Sequence, residues 1–338
     1  FRMTNLFGMK IDLLNTRLRS KIEKASVFYH ILVNSLFNVV SCYILYRMLF
    51  TNLFSLVYLY FVWMWWDWNS PYNGSYSRYF LNLQMHKAFA GYFPLKLHTT
   101  SELPDDQNYL IGMHPHGVCC MSSYNFMSNS TGIWDRFPKI NFHTCTLVKR
   151  FWFPLCREWL MLHGVINCSR ESLHNVLGRS RKGQAAVLVV GGAEESLDAH
   201  PGKYVIMLSR RKGFIKIAIE TGAFLVPCFA FGENDIYRQA NNDEGTIIRR
   251  IQKFIKKYWG VSPLMVYGTG IFFAYGFMPF RKPLNTVLGA PIPVEKIENP
   301  TQEQIDELQS IYIQRLTELF ENYKEKNGIA ADNHLIIR

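Results

Sequence analysis

Apolar residues are distributed along this chain in two ways, as one long run near the start and as many short runs after it. Residues 31–66 carry no Pro, no Gly and a single charge, Arg47, and the run closes on Trp63-Met64-Trp65-Trp66-Asp67-Trp68. So uniform a stretch predicts a membrane segment. Drawn as one straight helix, its 36 residues would measure about 54 Å, against roughly 30 Å of hydrocarbon. A reversal near Arg47 to Asn52 is therefore expected, either as a membrane-embedded helical hairpin with Arg47 reaching a polar surface, or as two short transmembrane helices. Both ends then lie on the same side.

Beyond Pro71 the pattern shortens. A helix lying along the interface leads to Tyr92-Phe93-Pro94, and a first strand follows at Leu95-Lys96-Leu97. Short apolar or β-branched runs predict further strands at 109–113, 185–190, 224–229, 264–267 and 286–288. Helical spacing falls between them, over Ser169 to Leu177, over Phe214 to Glu220 closed by Gly222, and over Glu244 to Tyr258. In the last of these Ile247, Ile248, Ile251, Phe254, Ile255 and Tyr258 share one face. Arg249, Arg250, Lys253, Lys256 and Lys257 take the other, which predicts a solvated or headgroup-facing surface. Thr301-Gln302-Glu303-Gln304 is a capping box that opens a C-terminal packing helix stopped by Gly328. Strands alternating with helices predict an α/β layer with buried strands. The chain thus divides into a cytosolic segment 1–30, the membrane segment 31–66 and a cytosol-facing domain 67–338.

Charge and cysteine usage narrow the partners. The formal charge is +11, but the basic residues come in scattered pairs and form no nucleic-acid-binding module, so an anionic membrane face or a phosphorylated ligand is expected. Arg17, Arg19, Lys21 and Lys24 precede the apolar run as a cytosolic flank. The run is too long and too far from the start for a cleaved signal peptide. Seven cysteines at irregular spacing predict a reducing compartment.

Candidate chemistry sits at two strand exits. His114-Pro115-His116-Gly117 follows the run Tyr109 to Met113, where an imidazole on a stiff corner can act as a base. No Cys-x-x-Cys or His-Glu-x-x-His accompanies it, so no metal is expected. Cys119 and Cys120 lie close by and are expected as small buried hydrophobes, not nucleophiles. At the second exit Val187 to Val190 runs into Gly191-Gly192-Ala193-Glu194-Glu195, bringing backbone N–H groups and carboxylates together. A carboxylate can hold a base's tautomer and stabilise its imidazolium. Residue types alone leave His114 and His116 open as the base, and Glu194 and Glu195 as its partner.

These blocks resemble the type-2 diacylglycerol acyltransferase family, which includes monoacylglycerol acyltransferases and wax-ester-forming relatives. The resemblance rests on Tyr92-Phe93-Pro94, His114-Pro115-His116-Gly117, Arg157-Glu158, Ser169-Arg170-Glu171-Ser172, Gly191-Gly192-Ala193-x-Glu195, Arg211-Lys212-Gly213-Phe214-x-Lys216, Leu225-Val226-Pro227, Phe231-Gly232-Glu233-Asn234 and Gly289-x-Pro291-Ile292, all in family order. It implies a glycerolipid-acyltransferase-like mixed sheet flanked by helices. It also implies an endoplasmic-reticulum enzyme, with lipid droplets as a further site, that moves a fatty acyl group from acyl-CoA to the hydroxyl of a di- or monoacylglycerol. His116 is implied as the base and Glu195 as its partner, with no acyl-enzyme, no metal and no cofactor beyond the co-substrate acyl-CoA. Related headgroup acyltransferases place an Asp four residues after the catalytic His, where this chain has Cys120, so a local His-Asp pair is excluded.

The oxyanion would be met by backbone N–H groups near Gly191 and Gly192, or after Gly117. Lys149, Arg150, Arg211, Lys212 and Lys216 are candidates for the coenzyme A phosphates. Arg157, Glu158, Arg170 and Glu171 are candidates for an ionic network supporting the site. Membrane lipids are expected partners, nucleic acid is not, and homo-oligomerisation is left open. Alternatives are a wax- or retinyl-ester-forming acyltransferase, or a non-enzymatic lipid-droplet scaffold held by the hairpin. A serine hydrolase lacks its Gly-x-Ser-x-Gly elbow. Phe80-Leu81-x-Leu83 resembles a neutral-lipid pattern of the family and is expected as helix packing instead.

Overall fold

In a computed structural model the described residues are 8–243, 245–259, 263–270 and 275–338. The expected helix start at Glu244 and the side chains of Lys256 and Lys257 lie outside this description.

The N-terminal third is helical: α1 (Gly8–Ser35), α2 (Phe37–Met48) and α3 (Phe54–Trp66). The chain bends at Leu36 and turns over 49–53, where the reversal was expected. α2 and α3 are about 18 and 20 Å long, short of a hydrocarbon core of roughly 30 Å. Among the described residues no single helix is long and apolar enough to cross a membrane, although the bent pair Leu18–Ser35 and Phe37–Met48, meeting at 69°, has the length and composition. The expected boundary between residues 30 and 31 falls inside α1. That helix packs on Gln84–Tyr92, burying Val27 and Val33 with Phe89, Tyr92 and Phe93. The expected interfacial helix is two short pieces, Arg78–Leu81 and Gln84–Tyr92.

The remainder is built on strands β1 (Lys96–Thr99), β2 (Tyr109–His114), β3 (Asn141–Thr146), β4 (Ile166–Asn167), β5 (Gln184–Val189), β6 (Val205–Ile206), β7 (Phe224–Phe231), β8 (Arg238–Gln239), β9 (Val266–Thr269), β10 (Tyr275–Gly276), β11 (Asn285–Leu288) and β12 (Ile336–Ile337). Seven form one mixed sheet in the order β1-β11-β7-β2-β5-β3-β4. Its pairs are parallel except β11 with β7. β9, the strand read at 264–267, belongs instead to a small antiparallel sheet with β8 and β10, and β6 pairs with β12.

Alternation along the strands separates two cores. Leu110, Ala186 and Leu225 face Arg170–Leu177, Gly213–Thr221 and Gln302–Lys324, while Tyr109, Ile111, Val187 and Val226 face Phe126, Trp134 and Phe142. Leu81 is buried in that second core, so the Phe80-Leu81-x-Leu83 segment contributes a packing side chain. The capping box at Thr301 and Gln304 forms, and Gly328 ends the C-terminal segment at φ 76°.

The helix Ile247–Trp259 keeps Arg250 and Lys253 exposed as expected but departs from expectation at Arg249 and along its apolar stripe. Arg249 is buried on Asp198 at 2.8 Å, and Gln252 is buried with bonds to Asn242 and the Pro263 carbonyl. Ile247, Ile251, Phe254 and Tyr258, one stripe at helical spacing, are exposed. The polar anchors on the body turn the apolar stripe outward.

Candidate active site

Three adjacent parallel strands, β2, β5 and β3, end on one side of the sheet, the position where open α/β sheets bind ligands. The segments leaving them bring His116, Gly192 and Arg150 to the wall of one open cavity of about 560 Å³. Most of its lining is apolar, including Val118, Leu147, Leu160, Val165 and Leu188.

The two histidines are separated by their environments. His114 lies within β2, on the face of Leu110 and Gly112, and is fully buried. Its Nε2 is 3.1 Å from the Tyr312 hydroxyl, which itself donates to the Gly112 carbonyl at 3.0 Å. A Cβ at residue 112 would sit 2.1 Å from that hydroxyl, which is why Gly stands there. Burial drives the His114 pKa down to about 3. It does not line the cavity. His116 is half-buried and does line it. Its Nδ1 is 3.0 Å from the Gly117 carbonyl, so Nδ1 carries the proton and donates, and Nε2 keeps its lone pair. Burial lowers this pKa as well, which keeps the ring neutral near pH 7.

Two buried carboxylates brace this corner through its backbone. Glu195 accepts the His116 backbone N–H at 2.5 Å and the Met207 N–H at 2.7 Å. The ring contact expected of Glu195 is therefore replaced by a backbone contact, because the imidazole proton is already taken by Gly117. Burial pushes the Glu195 carboxyl up to about 7, against the opposing pull of those two N–H groups. Gly191 admits the carboxylate, since a Cβ there would lie 2.1 Å from Oε2. Glu194 is exposed and pairs with Arg211 at 3.3 Å, which separates the roles of the two acids.

Glu233 is the second brace, fully buried, accepting from the Met121 and Ser122 N–H groups at 2.8 Å and from the Ser122 hydroxyl. It packs against Gly117, where φ is 58° and a Cβ would come within 2.5 Å of its Cγ. The sequence pattern gave Glu233 no role beyond its motif, and gave the C-terminal helix that carries Tyr312 only a packing role. Cys120 is buried, and its thiol is raised well above the ordinary value by burial and then by Glu233, which makes it a poor nucleophile. Its neighbour Cys119 is exposed, contrary to the expected burial.

The proposed cations divide. Arg150 lines the cavity, Arg211 reaches toward the Gly191 carbonyl at 3.5 Å, and Lys149 is exposed. Lys212 and Lys216 instead meet Asp306 at 2.5 Å and Glu220 at 3.9 Å. The expected support network is two clusters that share no partner. Buried Arg157 binds Asp67 at 2.8 Å and Glu158 at 3.1 Å, tying the end of α3 to the body. Arg170 pairs with Glu220 at 2.7 Å, and Glu171 is exposed beside it. Among the described residues whose side chains are placed, no group of three or more His, Cys, Asp or Glu could hold a metal ion.

Comparison with known proteins adds an independent line. The model of the family described as "Diacylglycerol acyltransferase" matches residues 46–338. The chain is 40% identical over 337 residues to 2-acylglycerol O-acyltransferase 1 of Bos taurus, covering 98% of this chain and 100% of that one. It is 40% identical over 303 residues to diacylglycerol O-acyltransferase 2 of Danio rerio, covering 88% and 84%. A solved 1-acyl-sn-glycerophosphate acyltransferase from Thermotoga maritima aligns over 90% of this chain and 98% of that chain at 8% identity and a TM-score of 0.42, a likeness too distant to bear on the site.

Proposed function

This chain belongs to the diacylglycerol acyltransferase family and is an acyltransferase acting on acylglycerols, and we propose that it uses acyl-CoA as donor and His116 as general base. The observation that carries this reading is the tautomer. With Nδ1 donating to Gly117, the neutral ring holds a lone pair on Nε2 at the wall of an apolar cavity. The acceptor's hydroxyl gives its proton to Nε2 as its oxygen attacks the thioester carbonyl. The tetrahedral intermediate then collapses, forming the new ester and expelling the coenzyme A thiolate. A thiol of pKa about 8.5 leaves readily and later takes up the proton carried by the imidazolium. Neither an acyl-enzyme nor a metal is required. Glu195 and Glu233 act by fixing the corner on which the ring stands, and Arg150, which lines the same cavity, is the proposed contact for a coenzyme A phosphate.

The proposed setting is the endoplasmic-reticulum membrane with the body on the cytosolic side. Two surfaces support it. α2, α3 and the turn between them expose Val39, Phe50, Phe54, Tyr58, Trp65 and Trp66, and the helix Ile247–Trp259 exposes its apolar stripe beside the basic residues Arg250 and Lys253.

The test supplies labelled oleoyl-CoA with diacylglycerol, monoacylglycerol or a long-chain alcohol to membranes holding the wild type or His116→Ala, and resolves the products. Labelled tri- or diacylglycerol from the wild type alone is expected. Label confined to the alcohol would favour a wax-forming enzyme, and equal labelling by the variant would move the base elsewhere.

A further inference from the structure

The cavity has a wall that comes from ahead of the residues matched by the family model. α1 ends at Ser35, ahead of residue 46 where that match begins, yet its His30 and Asn34 line the same cavity as His116. His30 is 7% exposed, and its ring stands edge-on to Phe89 at 5.0 Å and Tyr124 at 4.8 Å, which fixes its plane. The Asn34 amide nitrogen lies 3.0 Å from Nε2 and also donates to the His30 carbonyl at 2.9 Å. An amide NH₂ only donates, so Nε2 is the acceptor and the ring proton sits on Nδ1. That Nδ1–H has no hydrogen-bond partner. Two further buried polar atoms without one, Thr144 Oγ1 and Arg150 Nε, also belong to residues lining this cavity. Buried donors are satisfied in folded proteins as a rule, so unpaired polar atoms on three residues that line one apolar cavity point to a ligand as their missing partner.

We propose that His30 is a specificity-determining residue, donating its Nδ1–H to an ester carbonyl oxygen of the acylglycerol acceptor. The chemistry selects this group. His30 as a neutral donor suits a neutral oxygen better than a phosphate, and an acylglycerol offers only ester oxygens besides the hydroxyls that react. The inference rests on the acyl-transfer reading of the same cavity, and it makes α1 part of the site in addition to any anchoring role.

The experiment compares two acceptors that share a chain and free hydroxyls and differ in one carbonyl: 2-oleoylglycerol and its 2-O-oleyl ether. Full-length protein in phosphatidylcholine vesicles is assayed with oleoyl-CoA as wild type, His30→Phe and His30→Gln. His30→Phe is expected to lower kcat/KM for the ester about tenfold, the amount one neutral hydrogen bond carries. Its activity on the ether and its KM for oleoyl-CoA should match the wild type, and His30→Gln, which keeps an N–H donor, should recover most of the loss. Activity on the ether doubles as the check that His30→Phe is folded. Equal loss on ester and ether, a raised KM for oleoyl-CoA, or no change at all would overturn the assignment. No transfer by the wild type to either glyceride would instead sink the acyl-transfer reading on which it depends.

Discussion

The strands at the centre of the sheet and the helices at its N-terminal side are similarly apolar and end in opposite surroundings. In β2, β5 and β7, Ile111, Val187 and Val226 are 0% exposed, whereas Trp65 and Trp66 of α3 are 79% and 85% exposed. The difference follows from where each element bonds its backbone. A strand must borrow its partners from neighbouring strands, so its apolar side chains are enclosed along with it. A helix satisfies its own N–H and C=O groups and can present apolar side chains in every direction, including toward lipid. The proposed chemistry therefore sits at the strand exits, where enclosure ends, and in the proposed membrane setting attachment falls to the helices.

Each half of that contrast can be broken separately. The largest effect is expected from His116→Ala, which should lower acyl transfer by about 10²–10⁴-fold while leaving vesicle co-sedimentation unchanged. Arg157→Met attacks the joint between the two regions, removing the buried guanidinium that holds Asp67 and Glu158. Breaking a buried pair from one side costs about 3–5 kcal/mol, readable as a lower melting temperature of the solubilised protein. A somewhat smaller effect is tied to pH. Burial raises Glu195 from 4.5 to about 7, so the fold favours the protonated acid. The stability this contributes is complete below pH 4.5 and lost as pH rises through about 7. The wild type's advantage over Glu195→Ala in melts should therefore shrink between those limits by up to about 3 kcal/mol. Smallest for the fold is Trp66→Ser, expected to change melting by no more than about 0.5 kcal/mol while weakening retention on vesicles.

How much of this was legible in the sequence depended on whether a residue's surroundings are local. β2, β5, β7 and β11 follow from short apolar runs, and the C-terminal helix from its capping box. β3 was missed because Asn141-Phe142-His143-Thr144-Cys145-Thr146 reads as polar. Its burial comes from β4 and β5 on either side. On the helix Ile247–Trp259 the basic residues Arg250 and Lys253 are exposed as expected, but Arg249 is drawn inward by Asp198 and the apolar stripe is left exposed, which the amphipathic pattern alone does not show. At the site the motif histidines were legible, and the resemblance implied His116, but residue types alone could not separate them; the fold does, because His114 is buried on Tyr312 and does not line the cavity. His30 carried no signal at all. It stands just ahead of the apolar run, and only the packing of α1 on Gln84–Tyr92 brings it to the cavity.

The central claim, that the His116 imidazole itself accepts the proton, is tested most directly by chemical rescue. His116→Ala in vesicles with oleoyl-CoA and monoacylglycerol would be titrated with imidazole, which an open cavity of about 560 Å³ admits. The account predicts transfer that rises from near zero with imidazole concentration, and rises further as pH is raised through the imidazole pKa. Transfer by His116→Ala at the wild-type rate without imidazole would contradict it.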